Sequence, residues 1–270
     1  MCSSDLILVV YLFLAIDILK IMSYWKEKIK IGDKYYSRFI GGPLDGITDS
    51  PFRKLVREFS KDNLQYTEMR HVACVAHDKG GKKALMFDQA ERPLNYQVAA
   101  NDIKYIPLAC EKIIAAGVDA VDLNIGCPAK NVVRSGGGSS LMANPEKLKM
   151  ILSELRRCLP DTTFTVKIRA GYKEKNAIDI AKLIEDCGVD ALAIHPRLQT
   201  ERFMGRPDYQ LAAQVKQAVI AAFPDVLSAQ VFALTNYPGQ FLDRNYPRQW
   251  VIKLEREGIA GASVERCTNP

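Results

Sequence analysis

Short β-rich runs alternate with amphipathic helical patterns along most of this chain, and this alternation constrains the fold more than any other feature. Strands that are each followed by a helix form a parallel sheet covered by those helices. The predicted strands are Ser37–Gly42, Leu64–Glu68, Leu94–Val98, Ala120–Asn124, Phe164–Ile168 and Ala191–His195, with weaker candidates at Val226–Val231 and Ala262–Val264. The predicted helices are Pro51–Phe59, Ile103–Ala116, Pro145–Leu159, Ala177–Cys187 and Tyr209–Phe223.

The length of the chain fits one large barrel domain. Its 270 residues compare with the ~250 that a (β/α)8 barrel typically needs. The prediction is therefore an α/β protein, a (β/α)8 TIM barrel whose last strands are irregular. Hydrophobic residues make up 48% and charged residues 25% of the chain, which excludes a disordered chain, a collagen-like fibre and a polytopic membrane protein.

The cysteine pattern and the net charge limit which cofactors and partners the chain can have. None of the seven cysteines forms a CxxC pair, so we expect neither a disulfide scaffold nor a zinc cluster, and we expect no metal. The three histidines are too few for a site of several histidine ligands. The net charge of +6 permits a polyanionic partner without requiring one. The oligomeric state does not follow from the sequence.

The first 22 residues stand apart from the rest. Leu6–Met22 is apolar but interrupted by Asp17 and Lys20, and a clean membrane span needs about 20 apolar residues. No positive n-region or small-residue cleavage site marks a secretory signal. The alternatives are a weak membrane anchor, a helix packed on the domain, or a stretch upstream of a true start at Met22. We favour the last, with residues 23–270 as the barrel domain, no stable membrane association and a cytoplasmic location.

Polar and glycine-bearing turns follow the predicted strands. In a barrel, the carboxyl ends of the strands meet at one face, and that face carries the active site. The candidate segments are Gly42-Pro43-Leu44-Asp45-Gly46, Glu68-Met69, Gln97, Asn124–Pro128, Lys167-Ile168-Arg169 and His195-Pro196-Arg197. Turns with a purely structural role do not usually supply Gln, Asn, Cys, Lys, Arg and His together, so a functional site is predicted at this face.

Cys127 is the sharpest chemical feature, because it sits between Gly126 and Pro128 in the turn after a predicted strand. A free thiol with its ordinary pKa of about 8.5 is mostly protonated at neutral pH, so it can donate a proton. With a lowered pKa it would be a nucleophile, and a buried structural cysteine is the third alternative. The glycine-rich stretch Ser135–Ser140 follows in the same loop. It either cradles a phosphate or is a flexible connection.

Lys167 and Arg169 alternate with apolar residues, so both side chains are predicted on one face of a strand, toward the barrel interior. Buried cations need anionic partners. The partner is either a carboxylate of the protein, such as Glu68, or an anionic ligand. His195 ends the next predicted strand, where it is either a hydrogen-bonded core histidine or part of the site.

These motifs together resemble the tRNA-dihydrouridine synthase family, whose members are flavin-dependent barrel enzymes. The resemblance covers roughly residues 38 to 220 and is most specific in the GCP loop with its glycine run. The similar segments are GGPLDGITDSPFRKLVREF (41–59), TEM (67–69), YQVAAND (96–102), AVDLNIGCPAKNVVRSGGGSSLM (120–142), VKIRAGY (166–172) and IHPRLQTERFMGRPDY (194–209).

The resemblance implies a role for each matching residue. Cys127 matches the cysteine that gives a proton to uracil C5, Asn124 the residue that holds the uracil edge, and Arg169 a position near the substrate. The matching FMN positions are Pro43, Leu44, Gln97, Lys167 and His195. The implied reaction is reduction of uridine to 5,6-dihydrouridine in tRNA, with NADPH as the reductant of FMN. The charged segments 79–83 and 202–206 either contact tRNA phosphates or form a solvated surface.

After about residue 224 the sequence departs from the family pattern. The family's turns that bind the FMN phosphate carry glycines, whereas this chain has Ser228–Val231 and Glu265–Cys267. Of the phosphate ligands that the resemblance implies in these turns, Arg266 remains. The family's C-terminal helical domain is expected to be absent. Two further functions therefore stay open: an FMN barrel oxidoreductase that acts on a small molecule, and an inactive truncated homologue.

Overall fold

The computed structural model describes residues 28–81, 84–202, 204, 206–222 and 231–233. The apolar stretch 1–22 and the strand candidate Ala262–Val264 lie outside these residues, as does all of Val226–Val231 except its last residue. Within the described part of the chain, no helix is long and apolar enough to cross a membrane.

An antiparallel hairpin opens the described chain and lies at the amino ends of the barrel strands. It consists of β1 (Lys28–Ile31) and β2 (Lys34–Ser37). Its apolar side chains pack against residues that begin or precede sheet strands: Ile29, Ile31 and Tyr36 contact Leu64 and Ala191. The hairpin was not predicted, and it occupies the end of the sheet opposite the candidate site.

The main sheet is parallel. Its strands run in the order β3 (Gln65–Tyr66), β5 (Leu94–Ala99), β6 (Ala120–Ile125), β7 (Thr163–Gly171), β8 (Ala191–Leu198) and β9 (Val231–Ala233), and β4 (Arg70–His71) also pairs with β5. The helices are α1 (Ser50–Phe59), α2 (Val72–His77), α3 (Ile106–Ala115), α4 (Lys130–Arg134), α5 (Pro145–Cys158), α6 (Ala177–Asp186) and α7 (Tyr209–Ala222).

The predicted first strand, Ser37–Gly42, is largely wrong. Ser37 ends the hairpin, and the remainder is reduced to a bridge in which Gly41 N–H donates to the Leu64 carbonyl and the Gly41 carbonyl accepts from Tyr66 N–H. Pro43 lacks the N–H that a continuing ladder requires, and glycine weakens a strand. The second predicted strand, Leu64–Glu68, is shortened to β3, and β4 pairs with β5 just beyond its predicted end.

The other predicted elements agree with the structure within a few residues. Helix α5 begins at Pro145 as expected, because the Asn144 side chain caps it by accepting from Lys147 N–H at 3.1 Å. Helix α3 begins at Ile106 rather than Ile103, which places Pro107 in its first turn, where proline is tolerated. Helices α2 and α4 are short and were not predicted.

The strands have one apolar face and one polar face. Residues such as Val121, Leu123, Phe164 and Val166 form the main core with helices α3, α5 and α6, and burial of each is worth about 1.5–3 kcal/mol. Residues at the alternate positions face the barrel interior, and most of them are polar. The polar ones include Asn95, Gln97, Asp122, Asn124, Thr165, Lys167 and Arg169. The apolar face thus fixes the register that brings these polar groups together.

Candidate active site

The loop after β6 is held by the side chain of Asn124. Its Oδ1 accepts hydrogen bonds from the backbone N–H groups of Gly126 at 3.0 Å and Cys127 at 2.8 Å. Asn124 is buried, whereas Cys127 is partly exposed. The asparagine therefore fixes the backbone on which the thiol is mounted and leaves the thiol accessible.

The glycine-rich stretch packs against the same cysteine. Ser139 donates two hydrogen bonds to the Cys127 carbonyl, from its backbone N–H at 3.1 Å and its hydroxyl at 2.9 Å. Gly138 has a φ of +55°, and a Cβ there would lie 2.8 Å from the Cys127 carbonyl oxygen. The stretch is therefore not a loose connection, because its glycines allow a close approach to Cys127.

Lys167 lies directly opposite Asn124 across the β6–β7 pairing. Burial and the neighbouring Arg169 lower the pKa of Lys167 to about 8, although Asp122 and Cys127 partly offset this effect. Within the described residues no carboxylate pairs with its ammonium group. Glu68, the partner considered from the sequence, accepts instead from Gly46 N–H at 2.8 Å and from Arg70 at 3.0 Å. The Lys167 ammonium is thus a partly buried donor that fits an anionic ligand.

Arg169 is buried among backbone carbonyls. Its Nε donates to the Gly126 carbonyl at 2.7 Å, and its Nη1 donates to those of Leu198 at 3.1 Å and Arg202 at 2.8 Å. Burial, followed by the charge of Arg197, lowers the pKa of Arg169 to about 10. The side chain joins the loops after β6 and β8, so it braces the rim of the site.

His195 is a neutral acceptor in this structure. It lies opposite Arg169 across β7 and β8, and its Nε2 accepts from Arg197 Nη1 at 3.0 Å. Burial, together with the charges of Arg169, Lys167 and Arg197, lowers the pKa of His195 to about 3. The histidine therefore presents its other ring nitrogen as a donor at neutral pH.

The opening loop is a compact turn on the neighbouring side of the same face. The Leu44 carbonyl accepts from Ile47 N–H at 3.1 Å and Thr48 N–H at 2.9 Å, and Leu44 N–H donates to the Thr48 hydroxyl at 3.0 Å. Gly46 ties this turn to Glu68, as described above. Pro43 and Leu44 are both half-buried.

Asp122, which lies next to the candidate residues, was not singled out from the sequence. Asp122 lies one layer below Asn124 on the interior face, where its carboxylate accepts from Gln97 Nε2 at 2.8 Å and from the Thr165 hydroxyl at 2.6 Å. Gln97 Oε1 in turn accepts from Asn124 Nδ2 at 2.9 Å. The signal was present in the period-two alternation of β6, which places Asp122 and Asn124 on one face.

Some of the residues predicted to bind the cofactor phosphate lie outside the described part of the chain. Arg266 and the two turns Ser228–Val231 and Glu265–Cys267 lie outside the described residues, apart from Val231 in β9. Among the described residues no group of three or more His, Cys, Asp or Glu side chains is arranged to hold a metal ion. In the charged segment 79–83, Lys82 and Lys83 lie outside the described residues. In the segment 202–206, Arg206 is exposed.

Comparison with known proteins decides the family to which this arrangement belongs. The family model described as Dihydrouridine synthase (Dus) matches residues 40–224, which is more than half of the chain and includes every described candidate residue. The chain belongs to the dihydrouridine synthase family. The Dus match ends where the sequence was expected to depart from the family pattern, at about residue 224.

Individual Dus relatives support the same assignment. The chain is 31% identical over 213 residues to "Probable tRNA-dihydrouridine synthase 1" of Synechocystis, covering 78% of this chain and 59% of that protein. It is 36% identical over 186 residues to tRNA-dihydrouridine synthase B of Escherichia coli K12, covering 68% and 57%. It is 32% identical over 239 residues to the Pasteurella multocida protein of the same name, covering 84% and 71%. The chain thus spans between half and three quarters of the length of these relatives.

A solved structure supports the fold. A 2-naphthoyl-CoA reductase complex superimposes with a TM-score of 0.51 at 13% identity, covering 76% of this chain and 45% of that one. At this identity the likeness concerns fold alone. Together with Dus membership, it confirms the predicted α/β barrel class.

Proposed function

We propose that this chain reduces uridine in tRNA to 5,6-dihydrouridine, with FMN as its cofactor and NADPH as the source of electrons. The observation that carries the proposal is the Cys127 thiol, held at the carboxyl end of β6 by the Asn124 side chain and by Ser139. The matching of residues 40–224 to the Dus family supports the same reaction. RNA binding and a cytoplasmic location are part of the proposal.

The donor groups around the interior face suit a flavin. Lys167 offers an ammonium group without a carboxylate partner among the described residues, and His195 is neutral on the adjoining strand. In this proposal Lys167, His195 and Gln97 would hold the edge of the isoalloxazine ring, and Pro43 and Leu44 would contact the ring. Bound and reduced, FMN supplies the hydride that uridine C6 must receive. Arg266 is proposed as a ligand of the FMN phosphate.

The proton is supplied by the protein. Addition across the C5=C6 bond of uracil requires a hydride at C6 and a proton at C5, and Cys127 Sγ donates that proton. The thiolate that remains is stabilised by two cations, since a charge on Cys127 raises the pKa of both Lys167 and Arg169. Water then returns a proton to the sulfur. Asn124 holds the uracil edge, and Arg169 keeps the rim of the site in place near the substrate.

The substrate base must leave the tRNA stack to reach this site, because the interior of a barrel cannot admit a folded helix. Lys79 and Arg206, with the other cations of segments 79–83 and 202–206, are proposed to contact phosphates near the extruded base. Such contacts predict that tRNA affinity falls as salt concentration rises.

The test is direct. Purified full-length protein is mixed with FMN, NADPH and unmodified transcribed tRNA, and the digested RNA is searched by mass spectrometry for uridine that has gained two hydrogen atoms. We expect dihydrouridine at defined positions, and none with heat-denatured protein. Reduction of a free enone or pyrimidine without reduction of tRNA would support the small-molecule oxidoreductase instead. Failure to bind any flavin would support the inactive homologue.

A further inference from the structure

Four side chains and one backbone segment form a continuous hydrogen-bonded chain beneath the candidate site. Asp122 Oδ2 accepts from Gln97 Nε2 at 2.8 Å, Gln97 Oε1 accepts from Asn124 Nδ2 at 2.9 Å, and Asn124 Oδ1 accepts from Cys127 N–H at 2.8 Å. The other carboxylate oxygen of Asp122 accepts from the Thr165 hydroxyl at 2.6 Å. The chain therefore connects a buried carboxylate to the loop that carries the thiol.

The polarity of this chain is set at its two ends. A carboxylate only accepts, so it requires the NH2 group of Gln97 to face it, and the Gln97 oxygen must then face Asn124. At the other end, the N–H groups of Gly126 and Cys127 only donate, so they require the Asn124 oxygen. Both ends favour the same orientation of two amides that, in isolation, would have two orientations each. If either amide reversed, two donors would face each other in a buried space.

Burial makes this arrangement depend on the charge of Asp122. Asp122 is fully buried and Gln97 nearly so. Burial raises the pKa of Asp122 to about 6, against the hydrogen bonds from Thr165, Gln97 and Tyr66 and the charge of Lys167, which lower it. A protonated carboxyl group has an O–H donor as well as an acceptor, so it no longer imposes one orientation on Gln97.

We infer that Asp122 is a positioning residue for the Cys127 loop: its carboxylate fixes the amides of Gln97 and Asn124, and through them the backbone that carries the thiol. The inference rests on the proposed function for its meaning in catalysis, but the positioning itself is a property of the chain. Asp122 does not touch the substrate. It acts three hydrogen bonds away from Cys127.

The first experiment measures the loop without requiring activity. Asp122→Asn keeps the shape of the side chain but replaces one acceptor by a donor. Iodoacetamide labelling of Cys127 is followed by mass spectrometry, with the exposed Cys74 of the same molecule as an internal reference. We expect the Cys127 labelling rate, relative to Cys74, to rise at least about threefold at pH 7.5. In the wild type the same ratio should rise as the pH falls from 7 to 5, and in the variant it should be flat.

Coupling through Gln97 gives a second test. Gln97→Met interrupts the chain in its middle, so it should raise the Cys127 labelling ratio by itself, and adding Asp122→Asn should change the ratio no further. Equal and independent effects of the two substitutions would overturn the inference, as would wild-type labelling in Asp122→Asn. If Asp122→Asn does not fold, Thr165→Val serves in its place. It removes one donor to the carboxylate, so it should shift the pH dependence of labelling to higher pH.

Activity adds a separate readout. In wild-type protein reduced with NADPH in advance, the single-turnover rate of uridine reduction should fall with acidity through about pH 6. Asp122→Asn should have a rate at least tenfold lower at pH 7.5 and should lack this acidic limb. If the wild type reduces no uridine, the proposed function fails while the labelling comparison still decides the positioning role. An acidic limb that persists in an active Asp122→Asn protein would contradict the inference.

Discussion

The carbonyl oxygen of Cys127 lies so close to Gly138 that a Cβ on Gly138 would be 2.8 Å from it. Gly138 also has a φ of +55°, in the left-handed region that favours glycine. A residue eleven positions after the proposed proton donor thus belongs to the packing of that donor. This contact explains why a glycine run follows the cysteine in the same loop.

Gly138→Ala should destabilise the protein and loosen the Cys127 loop. Left-handed strain and crowding against the carbonyl together should cost about 2–4 kcal/mol in the free energy of unfolding, measured by urea denaturation. Gly117 is the matched control, because its φ is +79° but a Cβ there meets nothing within 4 Å. Gly117→Ala should cost only about 1 kcal/mol. Equal costs at the two positions would show that the contact with Cys127 is unimportant.

Cys127→Ala should abolish most of the uridine reduction and leave cofactor handling intact. Removing a positioned general acid typically lowers the rate ~10²-fold or more. FMN binding and its reduction by NADPH should be unchanged, because the thiol is not needed for either. Cys74→Ala, at an exposed cysteine on α2, should behave as the wild type in every assay. Full uridine reduction by Cys127→Ala would remove Cys127 from the mechanism.

Lys167→Met should weaken FMN binding and remove its pH dependence. Loss of a hydrogen bond from a charged group costs about 1.5–3 kcal/mol, so the dissociation constant should rise roughly 10- to 100-fold. The pKa of Lys167 is lowered to about 8. An edge of hydrogen-bond acceptors favours the protonated lysine, so wild-type affinity should fall as the pH rises through 8, while that of the variant stays level. Fluorescence titration between pH 7 and 9 measures both.

The control for that substitution is Lys149→Met, on the exposed face of α5. It removes one positive charge far from the strand ends, so it should keep both the affinity and the pH dependence. A variant Lys167→Met that binds FMN normally and differs only in thermal stability would show that Lys167 serves the fold.

His195→Gln should make the protein less sensitive to acid. The pKa of His195 is lowered to about 3 by burial and by three neighbouring cations. Between pH 3 and the ordinary value of about 6.5, the unfolded state therefore binds more protons at this position, and stability falls as the pH falls. The contribution of one proton is at most about 1.4 kcal/mol per pH unit. Urea unfolding from pH 7.5 to 4.5 should give a shallower decline for the variant.

Between pH 7 and 8 the two proteins should differ by a constant amount, since neither residue titrates there. Parallel declines below pH 6.5 would mean that His195 is protonated in the folded state, against the geometry in which Arg197 donates to its Nε2.

The sequence by itself determined most of the longer strands and helices and the polar residues that follow the strands. Helix α5 was predicted from Asn144 and Pro145, and the interior position of Lys167 from its alternation with apolar neighbours. These signals are local: a cap acts within one turn, and the two faces of a strand follow from a period of two. The Asn124–Cys127 loop was recognised for the same reason, because its residues are contiguous.

The tertiary structure alone decided which polar groups meet. The Asp122 carboxylate accepts a hydrogen bond from Gln97 on the neighbouring strand. Arg169 donates to carbonyls of two loops, and Glu68 pairs with Arg70 and not with Lys167. Each of these depends on the register between strands that are far apart in sequence. That register is fixed by packing of the apolar faces against the helices, which no single segment contains.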